Sequence, residues 1–271
     1  MSIAICTIQR DRAAWIKEWV VFHHLIGVKK FYIYLHKCKD ESAAVVADLS
    51  KHFDIAAFVI SEDVVRPQLA VYQHCYSSFG PKHDWIAFID GDEFLFPTKG
   101  QTINEYFEFL DPKPIDAIGV YWACFGSSGY IKEPSGLVTQ NYRHRAPLDF
   151  SSNKHFKSIV RGGLGQAFSV LQNAHYFQTI QGTFDTLMRS LTNGFVEYEP
   201  CYERLRINHY VTQSREYFLE FKQHSGSADM SPSTIRTEDW WNNHDRNEIR
   251  DDSLERFMPD LQAILLSLNL N

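Results

Sequence analysis

The segment Asp84-Trp85-Ile86-Ala87-Phe88-Ile89-Asp90-Gly91-Asp92-Glu93-Phe94-Leu95-Phe96 constrains this chain most, because a short apolar run leads straight into two carboxylates separated by one glycine. Ile86 to Ile89 has the length and continuity of a strand covered on both faces, the condition of a parallel sheet in an α/β protein. Pro97 forbids simple continuation of regular structure. The acids therefore fall at the strand's C-terminal end, where open α/β sheets bind their ligands. Oxygen ligands beside a flexible glycine suit Mg²⁺ or Mn²⁺ shared between protein and phosphate. Asp-Gly-Asp is also ordinary turn chemistry, so spacing alone leaves both a turn and a metal site open. It is the strand in front that favours the metal.

The residues before this segment alternate between strand and helix patterns. Ile3 to Ile8 reads as a strand. Ala13 to Leu25 reads as an amphipathic helix, with Trp15, Ile16, Trp19, Val20, Phe22 and Leu25 near helical spacing and Gly27 as its stop. Phe31 to Leu35 and Ala56 to Ile60 are further strands, and Ser42 to His52 and Gln68 to Phe79 further helices. Such alternation implies βαβ units, a parallel sheet and right-handed crossovers. The layering is Rossmann-like, but no Gly-x-Gly-x-x-Gly follows the first strand. Arg161-Gly162-Gly163-Leu164-Gly165 is neither that motif nor a phosphate loop, and reads as a conformational loop. Beyond the acids, Asn104 to Leu110 is helical and Ala117 to Tyr121 strand-like. The following Trp122 to Tyr130 loop carries small residues with aromatic neighbours. Trp122, Gly126, Ser127 and Ser128 suit an acceptor-sugar lining, although a tight turn between strands has the same composition. Residues 130 to 200 are rich in turns. Leu254, Phe257, Met258, Leu261, Ile264, Leu265 and Leu268 form a helical stripe that packs on the core. The acidic polar face of that stripe suits a membrane surface less well. The expected organisation is one domain over residues 1–225, divided near residue 97, and a helical C-terminal appendage over 226–271.

With 271 residues and 44% hydrophobic content the chain can bury a large core. A net charge of −6 argues against a general nucleic-acid binder, which must neutralise phosphates. The N-terminus lacks a basic and apolar leader, and no stretch reaches about 18 uninterrupted apolar residues. Five scattered cysteines, Cys6, Cys38, Cys75, Cys124 and Cys201, fit reduced thiols. A cytoplasmic protein with no transmembrane segment is expected, with peripheral membrane contact left open.

Seven blocks, in order, resemble glycosyltransferase family 92 and its family 2-like bacterial relatives. They are Arg10 to Trp19, His23 to Gly27 with Phe31 to Tyr34, Gln68 with Tyr72 to Cys75, Trp85 to Leu95, Phe125 to Tyr130, Lys157 to Val160, and Ile207 to Tyr210. The resemblance spans residues 3 to about 225 and implies a nucleotide-sugar half to about residue 97 and an acceptor half after it. It implies a GT-A fold, a nucleotide-sugar donor and a divalent cation, Mn²⁺ or Mg²⁺, at an Asp-x-Asp motif formed by Asp90 and Asp92. Asp92 is the expected direct ligand, with Asp90 on the metal or the ribose, Glu93 orienting either, and His209 completing the coordination. By position, Thr7, Arg10, Gln68 and Gly91 join the two aspartates around the donor, and Arg10 suits a phosphate. Two blocks depart from the family. The usual Lys-Asn-Glu stands as Arg10-Asp11-Arg12, and the usual Asp-Asn-Gly-Ser-x-Asp stands as Leu35-His36-Lys37-Cys38-Lys39-Asp40. Leu35 cannot accept a hydrogen bond from a nucleobase, so the base stays open.

An inverting transfer needs a base at the acceptor hydroxyl, for which Glu133, Asp149 and Asp185 are candidates in the turn-rich region; a retaining one does not. Arg143, His144, Arg145, Lys154, His155 and Lys157 form either an anion site or a solvated basic face. The expected activity is metal-dependent, inverting transfer of a hexose to a glycan or related acceptor. The competing classes are a nucleotidyltransferase, which should show a glycine-rich triphosphate loop near the first strand, and an inactive nucleotide-sugar or glycan-binding protein.

Overall fold

The computed structural model describes residues 1–164, 169–171, 173–224, 229 and 235–270. Its first half is built from β1 (Ile3–Gln9), α1 (Ile16–Leu25), β2 (Lys30–Leu35), α2 (Ser42–Leu49), β3 (Ile55–Val59), α3 (Pro67–Phe79), β4 (Trp85–Phe88) and β5 (Glu93–Pro97). After α4 (Asn104–Leu110) come β6 (Ala117–Cys124), α5 (Val138–Asn141), β7 (His144–Arg145), β8 (Phe156–Arg161), β9 (Ser169–Leu171), β10 (Phe177–Gln178), β11 (Thr183–Phe184), β12 (Ser190–Leu191) and β13 (Leu205–His209). The chain closes with α6 (Arg215–Tyr217), α7 (Glu238–His244), β14 (Ile249–Arg250) and α8 (Met258–Ser267). No helix among the described residues is long and apolar enough to cross a membrane.

The main sheet runs β12-β11-β6-β8-β4-β1-β2-β3. β4, β1, β2 and β3 are mutually parallel, as the alternating pattern requires. β8 enters antiparallel between β4 and β6. β13 lies parallel to the end of β6 and antiparallel to β5, with His209 opposite Glu93 and Cys124. The acids therefore do not end regular structure: they form the corner between β4 and β5, and only Pro97 ends the second strand. This is the α/β, mostly parallel GT-A class expected from the sequence.

Burial on both faces follows from helices on either side. Strands β1 and β4 are almost wholly buried, and one core cluster joins α1, β4, β5, β6 and β13. Several polar groups inside it are paired. His23 on α1 places Nδ1 2.7 Å from the Trp19 carbonyl and accepts from the Leu95 backbone N–H at Nε2, 3.1 Å away. The carbonyl fixes the tautomer, and burial drives the ring's pKa down to about 3. Trp19 Nε1 donates to the Glu93 carbonyl at 2.8 Å. Buried Glu18 accepts from the Val138 and Thr139 backbone N–H groups at 2.7 and 3.0 Å, so it caps α5 from a distant helix.

Helix α1 begins three residues later than its apolar pattern. The Arg12 N–H is taken by Ser42 Oγ at 2.8 Å and the Ala13 N–H by Asp40 Oδ2 at 2.8 Å, which holds that turn to the loop after β2. At the other end of the chain, Leu254, Phe257, Met258, Leu261 and Leu265 enter the same core, and α8 packs on α1. Gly162 in the Arg161 to Gly165 loop has the conformational role assigned to it: a Cβ there would lie 1.8 Å from the His83 carbonyl oxygen. Gly165 lies outside the described residues.

Asp251 fastens the C-terminal segment electrostatically. Its oxygens meet Arg145 Nε at 2.6 Å and Arg206 Nη2 at 2.9 Å, with little solvent around the pair. Burial alone would raise its pKa, yet Arg206 and Arg145 hold the carboxyl well below the usual range. A depressed folded-state pKa contributes stability above the unfolded value of about 3.9 and loses it as pH falls. Asp251→Asn should therefore cost about 3 kcal/mol at pH 7. Urea denaturation at pH 7 and pH 3 checks this: the gap between variant and wild type should shrink at the lower pH.

Candidate active site

A cavity of about 430 Å³ opens over the C-terminal ends of β1 and β4. Asp90 and Asp92 stand on its floor, and cations ring it: Arg10, Arg12, Arg66, Lys222 and Arg236 all line it. The two acids are held very differently. Asp90 Oδ1 accepts from Gln68 Nε2 at 2.6 Å and Tyr72 Oη at 3.2 Å, while Oδ2 meets Lys157 Nζ at 2.8 Å. Lys157 comes from antiparallel β8, is 1% exposed, and also lies 3.9 Å from Glu93 Oε1. Burial would lower the lysine's pKa, but Asp90 and then Glu93 raise it; burial would raise Asp90, but Lys157 holds it below its ordinary value. Glu93 is fully buried, and there burial wins: its pKa stands well above the carboxylate range, with Lys157 opposing. Its Oε2 accepts from the Asp90 backbone N–H at 2.9 Å, so Glu93 shapes the corner from behind rather than reaching into the cavity.

Asp92 is paired with Lys222, and its Oδ1 lies 3.7 Å from His209 Nε2. Burial would raise its pKa; Lys222 and then His209 pull it well below the usual value. His209 is itself lowered by burial, with Asp92 opposing, which favours the neutral imidazole. A carboxylate oxygen and a neutral imidazole nitrogen this close form a fitting pair of metal donors, and a phosphate-binding Mg²⁺ or Mn²⁺ needs only one or two protein groups. Asp90 is the poorer donor, since three hydrogen-bond partners already engage it. Lys222 reaches Asp92 from a π-turn, Phe218–Lys222, that continues α6. Such turns insert an extra residue per turn and redirect the side chains after them.

The corner itself is pinned by Arg12, not by Arg10. Buried Arg12 donates Nη2 to the Gly91 carbonyl at 2.8 Å and Nη1 to Tyr217 Oη at 2.7 Å, and its guanidinium lies 4.7 Å from the Trp15 ring centre. Arg10 is exposed on the cavity rim. Gln68, Gly91 and Trp122 also line the cavity. Thr7 is buried beneath it, receiving Gln9 Nε2 at 2.7 Å, and supports the wall without lining it.

The structure does not bring the remaining candidates to this place. Gly126, Ser127 and Ser128 line no cavity described here: the Ser127 and Ser128 N–H groups are taken by Asp245 and Asn247 at 2.6 and 2.7 Å, and a Cβ on Gly126 would meet Arg246 backbone at 2.5 Å. The loop is a packed turn. Glu133 accepts from Tyr142 Oη and Ser214 Oγ at 2.7 and 2.6 Å; Asp185 is buried against Arg189 and Tyr121; Asp149 is exposed. None lines the cavity. The basic cluster also divides: Lys157 belongs to the site, while Arg143 pairs with Asp252 and Arg145 with Asp251. Asp11, from the loop after β1, and Cys38 and Asp40, from the loop after β2, bring ligand atoms together. Their carboxylates already receive the Lys39, Ala13 and Ser42 N–H groups.

Arg12, Lys222 and Arg236 escape sequence reasoning because a lone basic residue carries no periodic signal. Lys157 had one available, a lysine standing inside an otherwise buried strand.

The chain belongs to glycosyltransferase family 92, whose family model matches residues 1–249. A family 92 protein of Ricinus communis is 27% identical over 290 residues, covering 97% of this chain and 49% of that protein. One of Oryza sativa subsp. japonica is 26% identical over 259 residues, covering 88% and 41%. The chain thus spans about half, or less, of the curated relatives it matches. Among solved structures, residues 1–349 of S. aureus TarS are 14% identical with a TM-score of 0.39, covering 60% of this chain and 48% of that one. Glucosyl-3-phosphoglycerate synthase from Mycobacterium tuberculosis, solved with Mn²⁺ and uridine-diphosphate-glucose, is 14% identical with a TM-score of 0.31, covering 45% and 44%.

Removing the buried cation should cost more than any surface charge. Lys157→Met leaves Asp90 and Glu93 facing each other without a counter-charge and should destabilise the fold by about 3 kcal/mol. Adding Asp90→Asn should recover part of that loss, a coupling that guanidinium denaturation of the two single variants and the double variant measures.

Proposed function

We propose that this protein transfers a hexose from a nucleoside-diphosphate sugar to a hydroxyl of a glycan or related acceptor, with inversion and with a divalent cation. One observation carries the proposal: Asp92 and His209 lie side by side in a cavity that four arginines and a lysine also line. Three acids, Asp90, Asp92 and Asp229, among five cations suit a ligand that brings both metal and diphosphate. Asp92 and His209 would hold Mn²⁺ or Mg²⁺, which when bound stabilises negative charge on the departing diphosphate as a Lewis acid.

The chain's own groups do the rest of the positioning. Arg12 fixes the Asp90-Gly91-Asp92 corner from below. Gln68, Tyr72 and Lys157 hold Asp90 in one rotamer, leaving it oriented at the edge of the cavity as an acceptor for donor hydroxyls. Lys222 and Arg236, on the C-terminal side, are placed to meet phosphate oxygens once Lys222 leaves Asp92. Glu133, Asp149 and Asp185 are not proposed as the base, since each lies away from this cavity.

Calorimetric titration with UDP, GDP, dTDP and CDP, each with Mn²⁺ and with chelator, tests the proposal. One nucleotide should bind with Mn²⁺ only, and Asp92→Asn should weaken it about a hundredfold. Failure of all four nucleotides under both conditions would overturn it.

A further inference from the structure

Strand β3 ends the main sheet, and nothing among the described residues pairs with its outer side. Its inner side is fixed: the Phe31 N–H donates to the Asp54 carbonyl at 2.9 Å, and the Ile60 N–H to the Leu35 carbonyl at 3.0 Å. Backbone groups alternate in direction along a strand, so residues 54, 56, 58 and 60 face β2 while Ile55, Ala57 and Val59 turn theirs outward. The Ile55 N–H is taken by the Phe53 carbonyl at 2.9 Å. The Ile55 carbonyl and both backbone groups of Ala57 and Val59 have no partner among the described residues.

Such an edge is ordinarily blunted by a lysine, a proline, a bulge or brevity. β3 has none of these. Ile55-Ala56-Ala57-Phe58-Val59-Ile60 is wholly apolar, and its pairing with β2 is regular from Ile55 to Val59. The opposite edge of the sheet, β12, is only two residues long. Side chains along β3 divide in the same way as its backbone groups. Phe58 is anchored by stacking on Tyr34, with ring centres 4.7 Å apart, whereas Ala57 is exposed and Val59 is 81% exposed.

The outward groups are complementary to themselves. In an antiparallel pair of two β3 strands related by a two-fold axis at Ala57, Ala57 faces its own copy and Ile55 faces Val59, so every outward residue meets an outward residue. Reciprocal N–H···O bonds join the Ala57 groups, and each Val59 N–H meets an Ile55 carbonyl. The same register covers each exposed Val59 with a half-buried Ile55. It also runs Lys51 and His52 of one copy toward Glu62 and Asp63 of the other. Lys51 meets only the exposed Asp48, at 2.8 Å, among the described residues, and Asp54 is already neutralised by Lys30 at 2.6 Å. We infer that β3 is a homodimer interface, through which a second copy of this chain extends the sheet across a two-fold axis. Because the paired strands run oppositely, the cavities at the C-terminal ends of the parallel strands open on opposite edges of the joined sheet.

An edge of five residues falls short of a standard interface of about 1,600 Å², so the association should be weak and concentration-dependent. Sedimentation velocity of the full chain should show a monomer giving way to a dimer as loading rises through the micromolar range. No larger species should follow, since pairing consumes the edge. Val59→Lys, at an exposed position, should weaken the dimer about tenfold or more with an unaltered far-UV circular dichroism spectrum. Ala57→Pro, which removes only an outward N–H, should do the same. Hydrogen exchange followed by NMR needs no variant: the Ala57 and Val59 amides should slow in step with the dimer fraction, while the Ala56 and Phe58 amides stay protected throughout. A monomer at every loading, an open-ended oligomer, a dimer indifferent to both substitutions, or a dimer whose Ala57 and Val59 amides exchange as fast as the monomer's would each overturn the inference.

Discussion

The ammonium of Lys157 is the point on which this architecture turns. Two carboxylates, Asp90 and Asp92, and the buried acid Glu93 crowd one corner between two strands, and the aspartates would repel each other without a counter-charge. Lys157 supplies one from the interior, reaching Asp90 at 2.8 Å and Glu93 at 3.9 Å. Desolvating a lysine is expensive and is compensated only by close, well-formed partners. The corner and the lysine therefore depend on each other. The reversed direction of β8 follows from the same need: an antiparallel strand beside β4 brings its early residues, Lys157 among them, to the end of the sheet where β4 delivers its acids.

A second cation acts on the other acid from the opposite side. Lys222 arrives from the C-terminal part of the chain and Lys157 from the middle, so Asp90 and Asp92 are neutralised by segments far apart in sequence. The division of roles between them follows. Asp90 is enclosed by three donors and behaves as a fixed element. Asp92 has one ammonium and one imidazole beside it, and it is held by fewer groups.

Much of the fold was legible because it rests on local pattern. The strands beginning at Ile3, Phe31 and Trp85 and the helix at Asn104 fall where their apolar spacing puts them. Asp90 and Asp92 likewise stand just past the end of β4, where the apolar strand before them puts them. What could not be read was anything made by long-range contact. Ser127 and Ser128 have the composition of a sugar loop, but their N–H groups are taken by Asp245 and Asn247, more than a hundred residues away. Glu133 looks like a free acid until Tyr142 and Ser214 are seen on it. Arg10 and Arg12 are two residues apart on one turn, and no periodicity tells which of them faces inward. Trp240, His244 and Arg236 lie in a stretch that reads only as helical, and only the closed fold sets them beside His209.

Gly91 sits so close to the first strand that a Cβ there would stand 2.0 Å from Gln9 Oε1, and that amide is itself fastened to Thr7. The middle position of the acidic motif and a residue some eighty places earlier thus occupy one shared volume. In sequences descended from a common ancestor the two should change together: a side chain at position 91 calls for a shorter one at position 9. The pair offers a record of divergence that neither aspartate, held fixed by its own chemistry, can keep.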